Sequence, residues 1–405
     1  MDGTRIVGVI KLYRGKYLVG ESFSPDVRSW PSTENAFPSV APEKELGIAQ
    51  YVSMVRSAGK LAAEAYSVTA VDITGMKSDV LFGSIPEATK GVTASHIFSL
   101  MMSIEKNVAK YDIPVFGYCT DSAANSLGAL EKLLLPNSYL QSLHIKYLVL
   151  PMPSFIYAAP ILRKGYPTIA YPCWDHSSRT SVRNLLNSRI SIIAENFNSA
   201  SGITTAKIAS VHDIRALKQM KPNASVKHAD ISPLIAQNCD ATERVLNDKL
   251  IDELAKHVAG SEATQLYLQA SVWILAPYRN SKYGQPEQVV QSIWAGLSTF
   301  RRWRQFIIAS PALKLKNHFI SRPHYVTLEL LVHAAILHFL GLFLCFPEMD
   351  FHRYALRNTG NRSLEALHGT FRGGTCSLPI NTPNLSFREF LDKMNEMVQL
   401  RLSMT

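Results

Sequence analysis

A carboxylate, an imidazole and two guanidinium groups are concentrated in one stretch, residues 168–187. A β-favouring run there ends at Pro172, and Asp175 stands where a side-chain acceptor would cap the first free N–H groups of a helix. The predicted helix has a cationic face and an apolar face, formed respectively by His176, Arg179 and Arg183 and by Val182, Leu185 and Leu186. Two interpretations follow: a solvated basic face, or a site in which Asp175 and His176 lie at the carboxyl edge of a sheet.

The charge balance favours an anionic partner. The chain has 405 residues, a formal net charge of +10 and a pI near 9.3, and 47% of its residues are hydrophobic. This composition supports large cores and two or three domains rather than a disordered chain. Excess positive charge is typical of proteins that bind nucleic acid or a membrane surface, and nucleic acid is the preferred interpretation.

Cysteine usage and hydropathy indicate a reducing, intracellular location. Five scattered cysteines do not form a disulfide framework. Cys173 and His176 have the spacing of half a zinc site, but no second close pair follows, so a packed cysteine is favoured. The N-terminus lacks the pattern of a signal peptide. The apolar run 330–346 is short for a membrane span and contains His333 and His338, which favours a buried helix and no membrane association.

The order of predicted elements places two further carboxylates at strand positions. Strands are expected at 5–13, 17–23, 66–73, 114–120, 148–151 and 168–171, with helices at 44–65, 94–110 and 122–135. This is the order of an RNase H-like α/β domain, a mixed sheet flanked by helices. Asp2 lies at the entry of the first strand and Asp121 directly follows the fourth. Asp72, at the end of the third strand, is the alternative first carboxylate.

Two later segments add candidate residues. From 241 to 345 the pattern is helical, which indicates a second, all-α unit. Within it, the segment FRRWRQF (300–306) combines Arg301 and Arg302 with aromatic rings, either for gripping nucleic acid or as a helix with a wet cationic face. Beyond this unit, Glu365, His368 and Arg372 share one face of a short predicted helix.

With Asp2, Asp121 and Glu365 considered together, the chain resembles the DDE transposases of cut-and-paste DNA elements, and among these the P-element and hAT-like groups. Three segments carry the resemblance: TDSAANSLG (120–128), PCWDHSSRTSVRN (172–184) and SLEALHGTFR (363–372). It implies an RNase H-like core in two parts, 1–190 and 356–405, interrupted by a helical insertion, 191–355. These relatives normally carry a DNA-binding domain ahead of the core, and the chain begins almost at the first catalytic strand.

The resemblance implies that Asp2, Asp121 and Glu365 hold two Mg²⁺ (or Mn²⁺) ions for cleavage and strand transfer of DNA. His176, Arg179, Arg183, His368 and Arg372 would then position phosphates, and Asp175 could orient one of them. DNA in the nucleus is the expected partner, and a homo-oligomer is possible. The alternatives are a non-catalytic DNA-binding or assembly module with the same fold, or another RNase H-like nuclease. The sequence contains no P-loop pattern.

Overall fold

The structure is a computed structural model that describes eleven continuous segments, five short N-terminal strands and the single residues 110 and 140. The segments are 93–108, 115–121, 123–134, 145–152, 155–162, 167–186, 209–232, 239–280, 285–311, 313–345 and 356–360, and the strands are 2–5, 11–13, 17–19, 62–70 and 80–88. The chain divides into two compact units. Met1–His144 forms the first with Asn361–Thr405, and Ile145–Gly360 forms the second. The predicted divisions at 190 and 355 stay predictions, and the second unit extends across residue 190.

The N-terminal strands of the first unit form two antiparallel arrangements. β1 (Asp2–Arg5) pairs with β4 (Ala62–Ala70), which pairs in turn with β5 (Val80–Ala88). β2 (Lys11–Tyr13) and β3 (Tyr17–Val19) form the predicted hairpin. The expected single strand 5–13 is wrong, because β1 and β2 belong to different sheets. The helix expected at 44–65 is wrong at its end: residues 62–65 are strand, where pairing with 86–88 overrides the helical propensity of alanine and glutamate.

Two helices and a strand complete the described part of this unit. α1 (Ala94–Val108) and α2 (Ala124–Leu134) both lie within the predicted ranges, and β6 (Gly117–Thr120) ends directly before Asp121. Gly128 allows a close approach of the two helices, since a Cβ there would lie 2.9 Å from the Cβ of Ala94. Tyr118 on β6 donates a hydrogen bond to Met101 O of α1 at 3.0 Å, which fixes the strand against the helix.

The second unit begins with three strands. β7 (Lys146–Met152) and β8 (Phe155–Ile161) form an antiparallel hairpin, and β9 (Ile169–Pro172) follows. The backbone N–H of Thr168 donates to Pro160 O at 2.8 Å, next to the start of β9. β9 is buried along its whole length, as expected for a strand with a continuous apolar sequence. It is followed immediately by α3 (Trp174–Leu186), the predicted strand-to-helix junction.

Beyond α3, the described residues of the second unit are mainly helical, and between 241 and 345 this is what the periodicity predicts. Its helices are α4 (Val211–Met220), α5 (Cys239–Val245), α6 (Asp248–His257), α7 (Glu262–Arg279), α8 (Pro286–Ala309), α9 (Leu315–His318) and α10 (Arg322–Cys345), with 3₁₀ turns at Ala229–Ile231 and Leu356–Thr359. One continuous apolar core joins α3 to these helices. By length and composition alone, α10 could span a membrane over Arg322–Gly341, but 67% of its apolar window is buried inside the protein.

Candidate nucleic-acid interface

The cationic helix α3 begins two residues earlier than a cap at Asp175 requires, at Trp174 instead of His176. Its first residue is Trp174, and Ser177 N donates to Cys173 O at 3.1 Å, so the residue before the helix is Cys173. Asp175 is therefore the second helical residue and is not the N-cap, and only 5% of its surface is exposed. The prediction that Asp175 caps the helix is wrong, because the residue before the helix is Cys173. The buried carboxylate still favours the positive end of the helix dipole.

The inner face of α3 is fixed by hydrogen bonds as well as by apolar packing. The predicted apolar residues Val182, Leu185 and Leu186 are all buried. Tyr267 of α7 donates its hydroxyl to Ser181 O at 2.8 Å, and the Ser181 hydroxyl lies 3.0 Å from Nε2 of His324 on α10. Burial raises the pKa of Tyr267, which keeps its hydroxyl a donor. The rotation of α3 about its axis is therefore set by two neighbouring helices.

The outer face of α3 presents the predicted cations. His176 and Arg179 are partly exposed, and Arg183 is exposed. Arg179 Nη2 lies 3.4 Å from His176 Nδ1, and the Thr180 hydroxyl donates to His176 O at 2.9 Å. The two-faced helix is thus confirmed at the level of burial. A contact between this face and phosphates stays a prediction.

Asp121 is held at the end of β6 by its own turn. Its Oδ1 accepts a hydrogen bond from Ala123 N at 3.3 Å, and its carbonyl accepts one from the Thr120 hydroxyl at 3.1 Å. The side chain is partly exposed. No described residue donates a hydrogen bond to its second oxygen, Oδ2. Among the described residues, however, no three Cys, His, Asp or Glu side chains come together as a metal-binding group.

The other residues of the predicted catalytic site lie wholly or partly outside the described part of the chain. The backbone of Asp2 lies in β1, opposite Ser67 of β4, and nothing is described of its side chain. Asp72, Glu365, His368 and Arg372 lie outside the described residues. The grouping of Asp2, Asp121 and Glu365 therefore stays a prediction.

The segment 300–306 does not present Phe300 and Trp303 for stacking on nucleic acid, which is one of its two predicted roles. Phe300 and Trp303 are buried, at 1% and 7% exposure, and their ring centroids lie 6.0 Å apart within the core. Arg301 forms a bidentate ion pair with Glu329 of α10, with Nε donating to Oε1 at 2.9 Å and Nη2 donating to Oε2 at 2.6 Å. Arg302 is exposed. The rings of Phe300 and Trp303 thus pack in the core, which agrees with the alternative prediction of a helix with a solvent-exposed cationic face.

Sequence reasoning missed a cleft at the end of α7. A cavity of about 310 Å³ at the meeting point of α5, α6 and α7 is lined by both polar and apolar residues, and its charged residues are Glu243, Asp248 and Arg279. Arg279 Nη2 donates to Leu246 O at 2.8 Å, while Nε and Nη1 are buried without a hydrogen-bond partner. Burial lowers the pKa of Arg279, and the carboxylates of Glu243, Asp175 and Asp248 oppose that effect. No local sequence pattern marks a cleft assembled from three separate helices.

Cys173, half of the conceivable zinc pair, is fully buried beside Trp174. A thiol in this position behaves as a small apolar side chain, as the favoured interpretation predicts.

Several small sheets combined with a large helical unit make up an α/β fold. The structure is similar to that of the Drosophila P element transposase strand transfer complex, with a TM-score of 0.60. The similarity covers 98% of this chain and 75% of that chain, at 8% sequence identity. Identity this low makes the likeness one of fold. No protein-family model matches the sequence, and no curated protein matches it.

Proposed function

We propose that the chain is a transposase-derived core that cleaves and joins DNA. The observation that carries the proposal is the fold-level similarity to a P element transposase strand transfer complex over 98% of the chain. The positive net charge of +10 and the cation-bearing outer face of α3 support it independently, because a polyanionic partner suits both.

The catalytic residues of this proposal are Asp2, Asp121 and Glu365, which would hold Mg²⁺ or Mn²⁺. The donor chemistry fits, because carboxylate oxygens are the ligands that these hard cations prefer. Asp121 supports the assignment through its partly exposed carboxylate at a strand end, with one oxygen outside the turn. A pair of such ions, when bound, activates a water or a 3′-hydroxyl and stabilises the leaving oxygen. The protein would orient Asp2 and Asp121 through β1 and the end of β6, and Glu365 through the helix predicted to carry it.

DNA phosphates would be positioned by His176, Arg179 and Arg183 on α3, with His368 and Arg372 as further candidates. The bonds of Ser181 to Tyr267 and His324 support this role, because a fixed helix presents its cations in a constant orientation. The proposed location is the nucleus, where such DNA lies. A homo-oligomer is part of the proposal, since strand transfer joins two DNA ends.

The test measures cleavage and binding separately on the full-length chain. Asp121→Asn and Glu365→Gln should each reduce Mg²⁺-dependent cleavage of a duplex oligonucleotide by roughly a hundredfold or more, while DNA binding is retained. Asp252→Asn is the matched control, because it removes the same charge from an exposed position on α6. Cleavage by the two site variants at the rate of this control would refute the catalytic assignment.

Two other outcomes lead to the alternatives. Binding of duplex DNA by the wild-type chain without any metal-dependent cleavage would favour the non-catalytic DNA-binding or assembly module. Preferential cleavage of an RNA–DNA hybrid over duplex DNA would favour a different RNase H-like nuclease.

A further inference from the structure

The segment 288–347 is almost free of carboxylates. It contains six Lys or Arg residues, Arg301, Arg302, Arg304, Lys314, Lys316 and Arg322, and one acidic residue, Glu329. Six positive charges and one negative charge leave this segment at +5, half of the net charge of +10 that the whole chain carries. Such segregation concentrates positive potential on one part of the molecule.

The single carboxylate is already engaged. Arg301 Nε and Nη2 donate to the two Glu329 oxygens, and the Tyr325 hydroxyl donates to Oε1 as well. Glu329 therefore neutralises Arg301 within the helix pair α8–α10. The remaining cations of the segment have no carboxylate within the segment itself to pair with.

An aromatic cluster joins the three helices that carry the remaining cations of this segment or directly follow them. The rings of Trp303 on α8 and Phe319 after α9 lie 4.4 Å apart, and Phe319 lies 5.2 Å from Tyr325 on α10. Arg304 Cζ lies 5.6 Å above the Tyr325 ring. Edge-to-face packing of this kind fixes the end of α8 against α9 and the start of α10.

Four cations lie close in sequence to the rings of this cluster: Arg304, Lys314, Lys316 and Arg322, here termed the basic corner. Each lies within five residues of one of the three rings in the sequence. Lys314, Lys316 and Arg322 are exposed and Arg304 is partly exposed. None of the four forms an ion pair with a described residue. The first turn of α10 contains no acidic residue, so its helix dipole adds to the positive potential.

We infer that the basic corner is a second DNA-binding surface of the helical unit, which grips the phosphate backbone of duplex DNA without reading its sequence. The inference rests on the proposed function, and it assigns a contact to residues separate from those of α3. Flexible lysines suit contacts with phosphates that carry no base information. The aromatic rings beneath are buried or partly buried and engaged with one another, which leaves charge rather than stacking as the means of recognition.

The experiment compares two triple variants of equal charge in the full-length chain. One removes three cations of the basic corner, Lys314→Gln, Lys316→Gln and Arg322→Gln. The control removes three exposed cations elsewhere in the same unit, Arg215→Gln, Lys249→Gln and Lys256→Gln. The affinity for a duplex of mixed sequence is measured across a series of salt concentrations. Thermal unfolding of both variants verifies that they fold like the wild-type chain.

The expected result is a change in the salt dependence of binding. The slope of log affinity against log salt is negative, and each lost phosphate contact reduces its magnitude by about 0.9. Loss of three contacts therefore reduces the magnitude by roughly 2.7. Binding in 0.1 M salt should weaken by roughly tenfold or more. The control variant should keep the wild-type slope, even though its net charge has fallen equally.

Three outcomes would overturn the inference. If both triple variants bind with the same slope, the corner does not contact DNA, although the proposed function stands. If the wild-type chain does not bind duplex DNA at all, the inference and the proposed function both fail. If the corner variant loses binding to phosphatidylserine vesicles but binds DNA like the control, the surface is assigned to anionic lipid instead.

Discussion

Two of the three buried histidines of α10 should make the helical unit sensitive to mild acid. His324 and His333 are 3% and 8% exposed. Burial lowers the pKa of each to about 3, because an apolar interior disfavours the charged imidazolium. In the unfolded chain the pKa of histidine is about 6.5. The unfolded state therefore binds two protons in weak acid that the folded state does not.

The sign and size of the effect follow from this difference. A depressed pKa in the folded state gives stability that is complete above about pH 7 and is lost as the pH falls from 6.5 towards 3. At pH 5 the unfolded state gains about 1.4 kcal/mol for each of the 1.5 pH units below its pKa, or about 2 kcal/mol per histidine. The two together should lower the free energy of unfolding by about 4 kcal/mol between pH 7.5 and pH 5.

Urea unfolding monitored by tryptophan fluorescence measures this loss of unfolding free energy in the unit that contains α10, Ile145–Gly360. Four of the five tryptophans, Trp174, Trp273, Trp294 and Trp303, lie within Ile145–Gly360. His324→Gln and His333→Gln should each reduce the difference between the two pH values by about 2 kcal/mol, whatever they do to stability at pH 7.5. His257→Gln, at an exposed position on α6, serves as the control and should not change it. An unchanged pH dependence in both single variants would show that neither histidine titrates as argued.

Three further predictions follow from packing and charge. Gly296→Ala should lower the free energy of unfolding by about 1–3 kcal/mol, because its Cβ would lie 2.6 Å from Ala270 O; an unchanged urea midpoint would contradict this. Arg301→Gln should destabilise by about 1–3 kcal/mol, with much of the loss recovered on adding Glu329→Gln, as a double-mutant cycle would measure. Arg183→Gln should weaken DNA binding in a salt-dependent manner without altering the melting temperature, which an equal affinity would disprove.

Local periodicity predicted the elements that are continuous in sequence. α3 could be predicted because Val182, Leu185 and Leu186 repeat at helical spacing, opposite His176 and Arg179. The Asp175 cap could not be predicted reliably, since the observed shift of two residues in the helix start moves the side chain from the cap to the first turn.

Strands interrupted by proline escaped prediction. β5 contains Gly83 and Pro86, and β8 contains Pro160, residues that usually indicate a break rather than a strand. Their pairing with β4 and β7 is a long-range property that no local pattern contains. The same applies to Arg301, whose partner Glu329 lies 28 residues further along the chain.

The distribution of ion pairs explains why a moderately charged chain can present strongly basic surfaces. In the described part of the helical unit, the buried carboxylates of Asp230 and Glu253 are satisfied by Arg244 and Lys221, at 2.8 and 3.0 Å. A buried carboxylate needs such a partner, because an unpaired charge in the core is costly. Each of these ion pairs contains one cation and one carboxylate, so the pair adds nothing to the net charge. The excess cations are left for the surface, where Arg183 and the basic corner form no ion pair with a described residue. An overall excess of +10 thereby becomes local positive potential on the outer face of α3 and at the basic corner, the two surfaces proposed to bind DNA, where no internal carboxylate would have to be displaced.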